Sequence, residues 1–176
     1  MPEKDEGTNH FMTTPAATPD LTMEAIGAAV GLGREGDVES ARRDLLAIWH
    51  RIGVLGDPFH RCTLAHYLAD LYEDPAESLV WDVRALDAAD ALTDERARRH
   101  HASLEVAGFY PSLHLNLADN FRRLGAFEAA AGHIDAAERR VSRLPEGPYG
   151  DLIRSGIQGV AEAIGNRDTA RRPTAP

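Results

Sequence analysis

Cys62, His66 and Asp70 follow one another at four-residue intervals. On a helix that spacing places a thiol, an imidazole and a carboxylate on one face. Neighbours at i and i+4 can share a metal ion. Three successive turns span about 12 Å, so a straight helix lets at most two of the three reach one ion. His60, His100, His101 or His114 would have to complete such a site. The favoured reading is plainer: His66 is a groove residue and Cys62 a small packing residue. No metal and no cofactor is expected.

Arg96, Arg98, Arg99, His100 and His101 form a basic cluster. Such a cluster can hold phosphate, an acidic peptide or nucleic acid. It is also what a solvated helix face looks like when Asp94, Glu95 and the acidic Asp87 to Asp90 region pair with it, and that reading is favoured. No aromatic residues interleave with the arginines to stack on bases.

Other catalytic signals are missing. The glycines of "GLGREG" follow a helical segment and lack the Gly-Lys-Ser/Thr of a phosphate loop. The sequence holds neither Gly-x-Ser-x-Gly nor His-Glu-x-x-His, and no nucleophile has a base placed beside it by spacing. No enzyme is expected. Trp49, Trp81, Tyr67, Tyr72, Phe59 and Tyr110 lie on or beside apolar stripes and read as packing.

The 176 residues fit one domain, and the net charge of −9 argues against a global attraction to nucleic acid or anionic membranes. Cys62 is the single cysteine, which excludes an internal disulfide and a multi-cysteine zinc site and suits a reducing compartment. No long apolar run is present, so no membrane span is expected. The acidic, polar N-terminus does not read as a signal peptide, and the expected location is cytoplasmic.

The elements that must position these residues are helices throughout. Residues 1–19, rich in Pro, Thr, Glu and Asp, and the polar residues 166–176 are expected to be disordered. Between them lies a helical domain at 20–165. A first hairpin covers about 21–53, interrupted at Gly33 and Gly36, with Asp37 capping its second helix. A second covers 57–91. Asp57-Pro58 and Asp74-Pro75 open its two helices, because proline in the first turn sacrifices no hydrogen bond. Ala76, Leu79, Val80, Val83 and Leu86 predict the apolar stripe of the later helix. A third covers 109–145 and turns at Gly125. An insert at 92–108 is expected to hold a short helix capped by Thr93. A last helix at 149–164 presents Leu152, Ile153, Ile157, Val160 and Ile164, and Gly165-Asn166 should end it in a left-handed conformation.

In the third hairpin, His114, Leu117, Ala118, Phe121, Ala130, Ile134 and Ala137 fall at intervals of three, one, three, nine, four and three. That pattern resembles the tetratricopeptide repeat (TPR) family, whose units are antiparallel helix pairs that stack on neighbours. The match departs at the first large position, where His114 replaces Trp or Leu. Leu64, Ala65 and Leu68, then Ala76, Val80 and Val83 one residue early, fit the second hairpin. Met23, Ile26, Gly27 and Val30, then Ala41, Leu45 and Ile48 two residues late, fit the first. The phrases "LAHYLADL" and "FYPSLHLNLADNFRRLG" also resemble bacterial repeat proteins of unknown activity. The step from Ile26 to Leu64 is 38 residues and that from Leu64 to Leu117 is 53, which is how the insert is recognised.

The resemblance implies an all-α, right-handed α-solenoid of three TPR-like hairpins with an inserted helix and a C-terminal capping helix. It implies a concave groove lined by the first helix of each pair, here through Cys62, Thr63, His66 and Ala69, and through Leu115, Asn116, Asp119 and Arg122, with Glu24 and Ala28 less securely. Carboxylate-gripping relatives carry basic residues where Cys62 and Leu115 stand, so that specialised activity is not expected. The expected function is non-catalytic protein–protein interaction, with a peptide or helix in the groove. The insert surface is a second candidate, and a homodimer a further use of the same surfaces. The alternative is a metal- or small-ligand-binding enzyme or sensor using Cys62, His66, His100 and His101.

Overall fold

The structure is a computed structural model that describes residues 19–101 and 104–172. The N-terminal tail expected at residues 1–19 lies, but for Pro19, outside the described residues. The described residues form eight α-helices and no strand, so the chain is all-α. The helices are α1 (Leu21–Arg34), α2 (Val38–Ile52), α3 (Pro58–Asp70), α4 (Pro75–Asp90), α5 (Asp94–His100), α6 (Tyr110–Arg123), α7 (Phe127–Glu138) and α8 (Pro148–Gly165).

Local chemistry sets the helix starts. The carboxylates of Asp20, Asp37, Asp57 and Asp74 accept from the amides of Met23, Ser40, Phe59 and Ala76, and the Thr93 hydroxyl accepts from that of Arg96. Each bond satisfies an amide that the first turn leaves unpaired. Gly36 and Gly125 turn the chain between α1 and α2 and between α6 and α7 with φ of +97° and +78°. A side chain at either would strain the backbone.

Three pairs pack as neighbours: α1 with α2, α3 with α4, and α6 with α7. The pairs then join in order. The α2 helix meets α3, α1 also touches α3, α4 meets α6, and α8 lies against both α6 and α7. One apolar core unites α1 to α4 and reaches α6 at Leu113, and a second joins α6 to α8 around Ala118, Ile134, Ile153 and Ile157. Phe59, Leu92, Ala97 and Val106 seal α5 onto the end of α3. Trp49 and Trp81 meet edge to face at 5.2 Å, and the Arg84 guanidinium lies 4.3 Å from the Trp81 ring centre, so these aromatics pack against each other and hold an arginine of the chain.

Ala118 and Ala130 are fully buried. Ala118→Leu is therefore expected to cost about 1–3 kcal/mol by overpacking, read as a lower urea midpoint, and an unchanged midpoint would contradict this packing.

Three expectations are corrected. The α4 stripe is rotated: Val80 and Val83 are each 49% exposed, and the buried face is Ser78, Trp81, Asp82, Ala85, Ala88 and Ala89. Small and polar residues face inward because α4 is packed by both α3 and α6. At the end of α8 the left-handed residue is Arg167, at φ +51°, and not Gly165 or Asn166. Residues 166–172, expected to be disordered, return onto the helices with defined partners.

Candidate functional site

The parts of α3, α4 and α6 that face one another each contribute two polar residues four apart, so each pair shares a helix face. They are His66 and Asp70, Ser78 and Asp82, and Asn116 and Asn120. The Asn120 amide donates to Asp82 Oδ2 at 2.7 Å and to Ser78 Oγ at 2.9 Å. The Asn116 amide reaches Asp82 Oδ1 at 3.4 Å and His66 Nδ1 at 3.5 Å.

Asp82 is 1% exposed. Burial pushes its carboxyl well above the usual range and the charge of Asp70 adds to this, against hydrogen bonds from Asn116 and Asn120 that favour the carboxylate. Asp70 is reached by solvent yet has protein on most sides, at the edge of a cleft. Burial raises its carboxyl as well, opposed by His66 and Asn116. Two carboxyls thus share a polar layer that favours their protonated forms.

Beyond this layer, toward the start of α6, lies an open cavity of about 570 Å³. Cys62, Thr63, His66 and Tyr67 of α3 line one side, and Leu104 and Glu105 of the inserted segment with Phe109 at the start of α6 another. Ser112, Leu113, Arg143 and Tyr149 complete it. The cavity is within the size range of ligand sites, and it is mostly apolar with a few polar groups.

The expected groove residues divide accordingly. Thr63, His66 and Asn116 stand on or beside open surface. Cys62 lines the cavity but is 4% exposed, and Ala69, at 1%, belongs to the core, so the latter offers no contact to a ligand. Leu115 packs on Gly156 of α8. Arg122 is fully buried. Its guanidinium donates to Asp119 at 2.8 Å and to the backbone carbonyls of Asp168 and Ala170 at 2.5 and 2.9 Å. These two groove positions are occupied by the chain's own C-terminal segment.

Burial pushes the Cys62 thiol up to about 12, so it is a neutral thiol and not an activated nucleophile. Among the described residues no cluster of three or more His, Cys, Asp or Glu is placed to hold a metal ion.

The basic cluster also divides. Arg96 is 12% exposed and is clamped by Asp57 at 2.5 Å, Asp20 at 3.2 Å and the His60 ring at 3.1 Å. It fastens α5 to the starts of α1 and α3 and is not open to an added anion. Burial pushes the Asp57 carboxyl up, but bonds from Arg96 and the Phe59 amide outweigh this and leave it below the ordinary value. Arg98 pairs with Asp94 at 3.5 Å on the exposed face, and His100 lies 4.9 Å from the Phe59 ring. Arg99 and His101 are exposed.

His114 is buried rather than open, and its Nδ1 meets His133 Nδ1 at 3.0 Å, so one ring donates and the other accepts. Burial first, then His133, brings His114 down to about 4, and burial also lowers His133. Sequence reasoning missed His133, Ser78, Asp82 and Asn120. The four-residue spacing of Ser78 and Asp82, in step with Ala85 and Ala89, was the available signal for the inward polar face of α4.

No protein-family model matches the chain, and no curated protein or solved structure is significantly similar to it.

Proposed function

We propose that the chain is a non-catalytic protein–protein interaction scaffold whose three TPR-like hairpins, in a right-handed solenoid arc, take a peptide or a single helix along the face formed by α3, α6 and α8. The observation that supports this reading is the open cavity at the start of α6. It combines apolar walls from Tyr67, Leu104, Leu113 and Tyr149 with a few polar anchors, His66, Glu105 and Arg143, and the inserted segment forms one of its sides. Apolar side chains of a ligand supply burial there, and the anchors fix its register. A neutral Cys62 favours binding over thiolate chemistry at the same place.

Panning a random peptide library against the protein tests the reading. Peptides selected on the wild type should lose at least tenfold in affinity on Thr63→Trp, which fills the cavity from a half-buried position. Selected peptides that bind Thr63→Trp and the wild type equally would contradict it.

A further inference from the structure

The second observation comes from the opposite end of α6. Helix α8 closes with the Asp168 amide bonded to Ala163 O and the Arg167 amide to Ile164 O, the paired bonds of a Schellman turn. Arg167 holds the left-handed position, and its guanidinium lies 4.6 Å from the Phe127 ring centre. The turn sends the chain back over α6 and α8. Asp168 Oδ1 then accepts from the Ala170 amide at 2.8 Å and shapes the segment locally.

This strap is held in two ways. Buried Arg122 grips the carbonyls of Asp168 and Ala170, an interaction with backbone that any extended segment can offer. The strap's arginines supply the side-chain contacts. Arg172 donates to Gly156 O at 3.2 Å and lies against the bare Cα of Gly159, where a Cβ would meet its guanidinium at 1.9 Å. Arg171 pairs with Glu73 at 3.3 Å at the rim of a cleft of about 600 Å³.

Glu39, Glu73, Asp74 and Glu77 line that cleft with Arg42, beside Asp70, whose carboxyl is raised. Arg42 is already committed to Glu39 and to the carbonyl of Leu71, and it lies over the Tyr72 ring. The cleft is therefore acidic toward a newcomer. Arg171 fills it poorly, since its side chain remains 55% exposed. An exposed pair of this kind contributes little, so the cis contact is weak and replaceable.

We propose that this end of the groove binds an extended, arginine-bearing peptide segment of a partner, and that Asp168–Arg172 occupies the site in cis as its competitor. The proposal rests on the groove reading above and names its ligand class: two backbone carbonyls two residues apart for Arg122, with an arginine next in sequence for the acidic cleft. A short tether presents the strap at an effective concentration on the order of 1 mM. With an intrinsic Kd of about 0.1 mM for the strap itself, a trans peptide would then bind the wild type roughly tenfold more weakly than a strap-free chain.

The test uses a fluorescein-labelled peptide with the sequence of residues 166–176 and full-length protein. In the variant carrying Asp168→Gly, Ala170→Gly, Arg171→Ser and Arg172→Ser together, the peptide should bind about tenfold tighter than to the wild type. Adding Glu73→Lys should remove that gain, and raised salt should weaken it. Equal binding to wild type and strap variant, or equal binding of a peptide with its arginines replaced by Gln, overturns the proposal. A second arm needs no variant: excess unlabelled peptide should shift the amide resonances of Thr169 to Arg172 in the ¹⁵N-labelled wild type, and no shift overturns it. The library selection reads the cavity at the other end of α6, so either result can fail without the other.

Discussion

Arg122→Met is expected to lower stability by about 2–3 kcal/mol. Methionine keeps most of the apolar stem, so the change isolates the guanidinium. Arg122 is fully buried and donates to Asp119 and to two backbone carbonyls. Removing one partner of a buried pair typically costs about 3–5 kcal/mol. The expected loss is smaller because Asp119 is 29% exposed and can be rehydrated, as can the strap carbonyls once released. In a chain of this size that is roughly 5–10 °C in Tm. Arg122→Lys should recover only part of it, since an ammonium cannot reproduce the planar fork. Calorimetry of the three proteins checks the point, and a loss below about 1 kcal/mol for Arg122→Met would show that the guanidinium is not anchored as described.

Asp82→Asn is expected to gain stability relative to the wild type as pH rises. The folded protein holds the Asp82 carboxyl above its ordinary value, chiefly by burial and then by the charge of Asp70. Between the unfolded value, about 3.9, and the raised folded value, the folded state binds more protons than the unfolded one, so stability falls with increasing pH. Each pH unit of that window is worth about 1.4 kcal/mol. Asparagine cannot ionise, so the variant lacks the penalty. At acid pH it should be no better than the wild type, because the neutral carboxylic acid already suits the layer and Asn puts an amide donor opposite those of Asn116 and Asn120. Asp70, also raised, adds to the same trend in both proteins, and loss of the Asp82 charge beside it enlarges the difference.

Other groups shape the absolute profile but not the difference. His114 and His133 are held neutral, so their contribution is lost as pH falls from about 6.5, for His114 toward its folded value of about 4. Asp20 and Asp57 sit below the ordinary carboxylate value, and the stability they provide is lost at still lower pH. Urea titrations at pH 4.5 and pH 8 should therefore show the variant-minus-wild-type difference growing by about 1 kcal/mol or more. A difference independent of pH would mean that Asp82 ionises freely.

What the sequence made legible was local. Asp37, Asp57, Asp74 and Thr93 open their helices through bonds to amides two or three residues ahead, and such bonds depend on nothing distant. The inserted helix followed from the same rule. The α4 face was misjudged because counting apolar residues favours Val80 and Val83, whereas docking between two helices favours a narrow face of Ala and Ser. The polar layer exists only after α4 meets α6, which brings together residues 38 apart. The strap was hidden for a similar reason: a polar, Arg-rich segment reads as disordered until a buried arginine and a cluster of carboxylates are placed opposite it.

The central claim is that the cavity beside the polar layer is where a partner's peptide lies. Amide chemical-shift mapping of the ¹⁵N-labelled full chain with a library-selected peptide addresses it most directly. The largest shifts are expected at Thr63, His66, Leu104 and Ser112, residues from three segments that line this cavity. Shifts concentrated instead on the exposed α2–α3 loop at Val54 and Leu55, with the cavity residues unmoved, would contradict it.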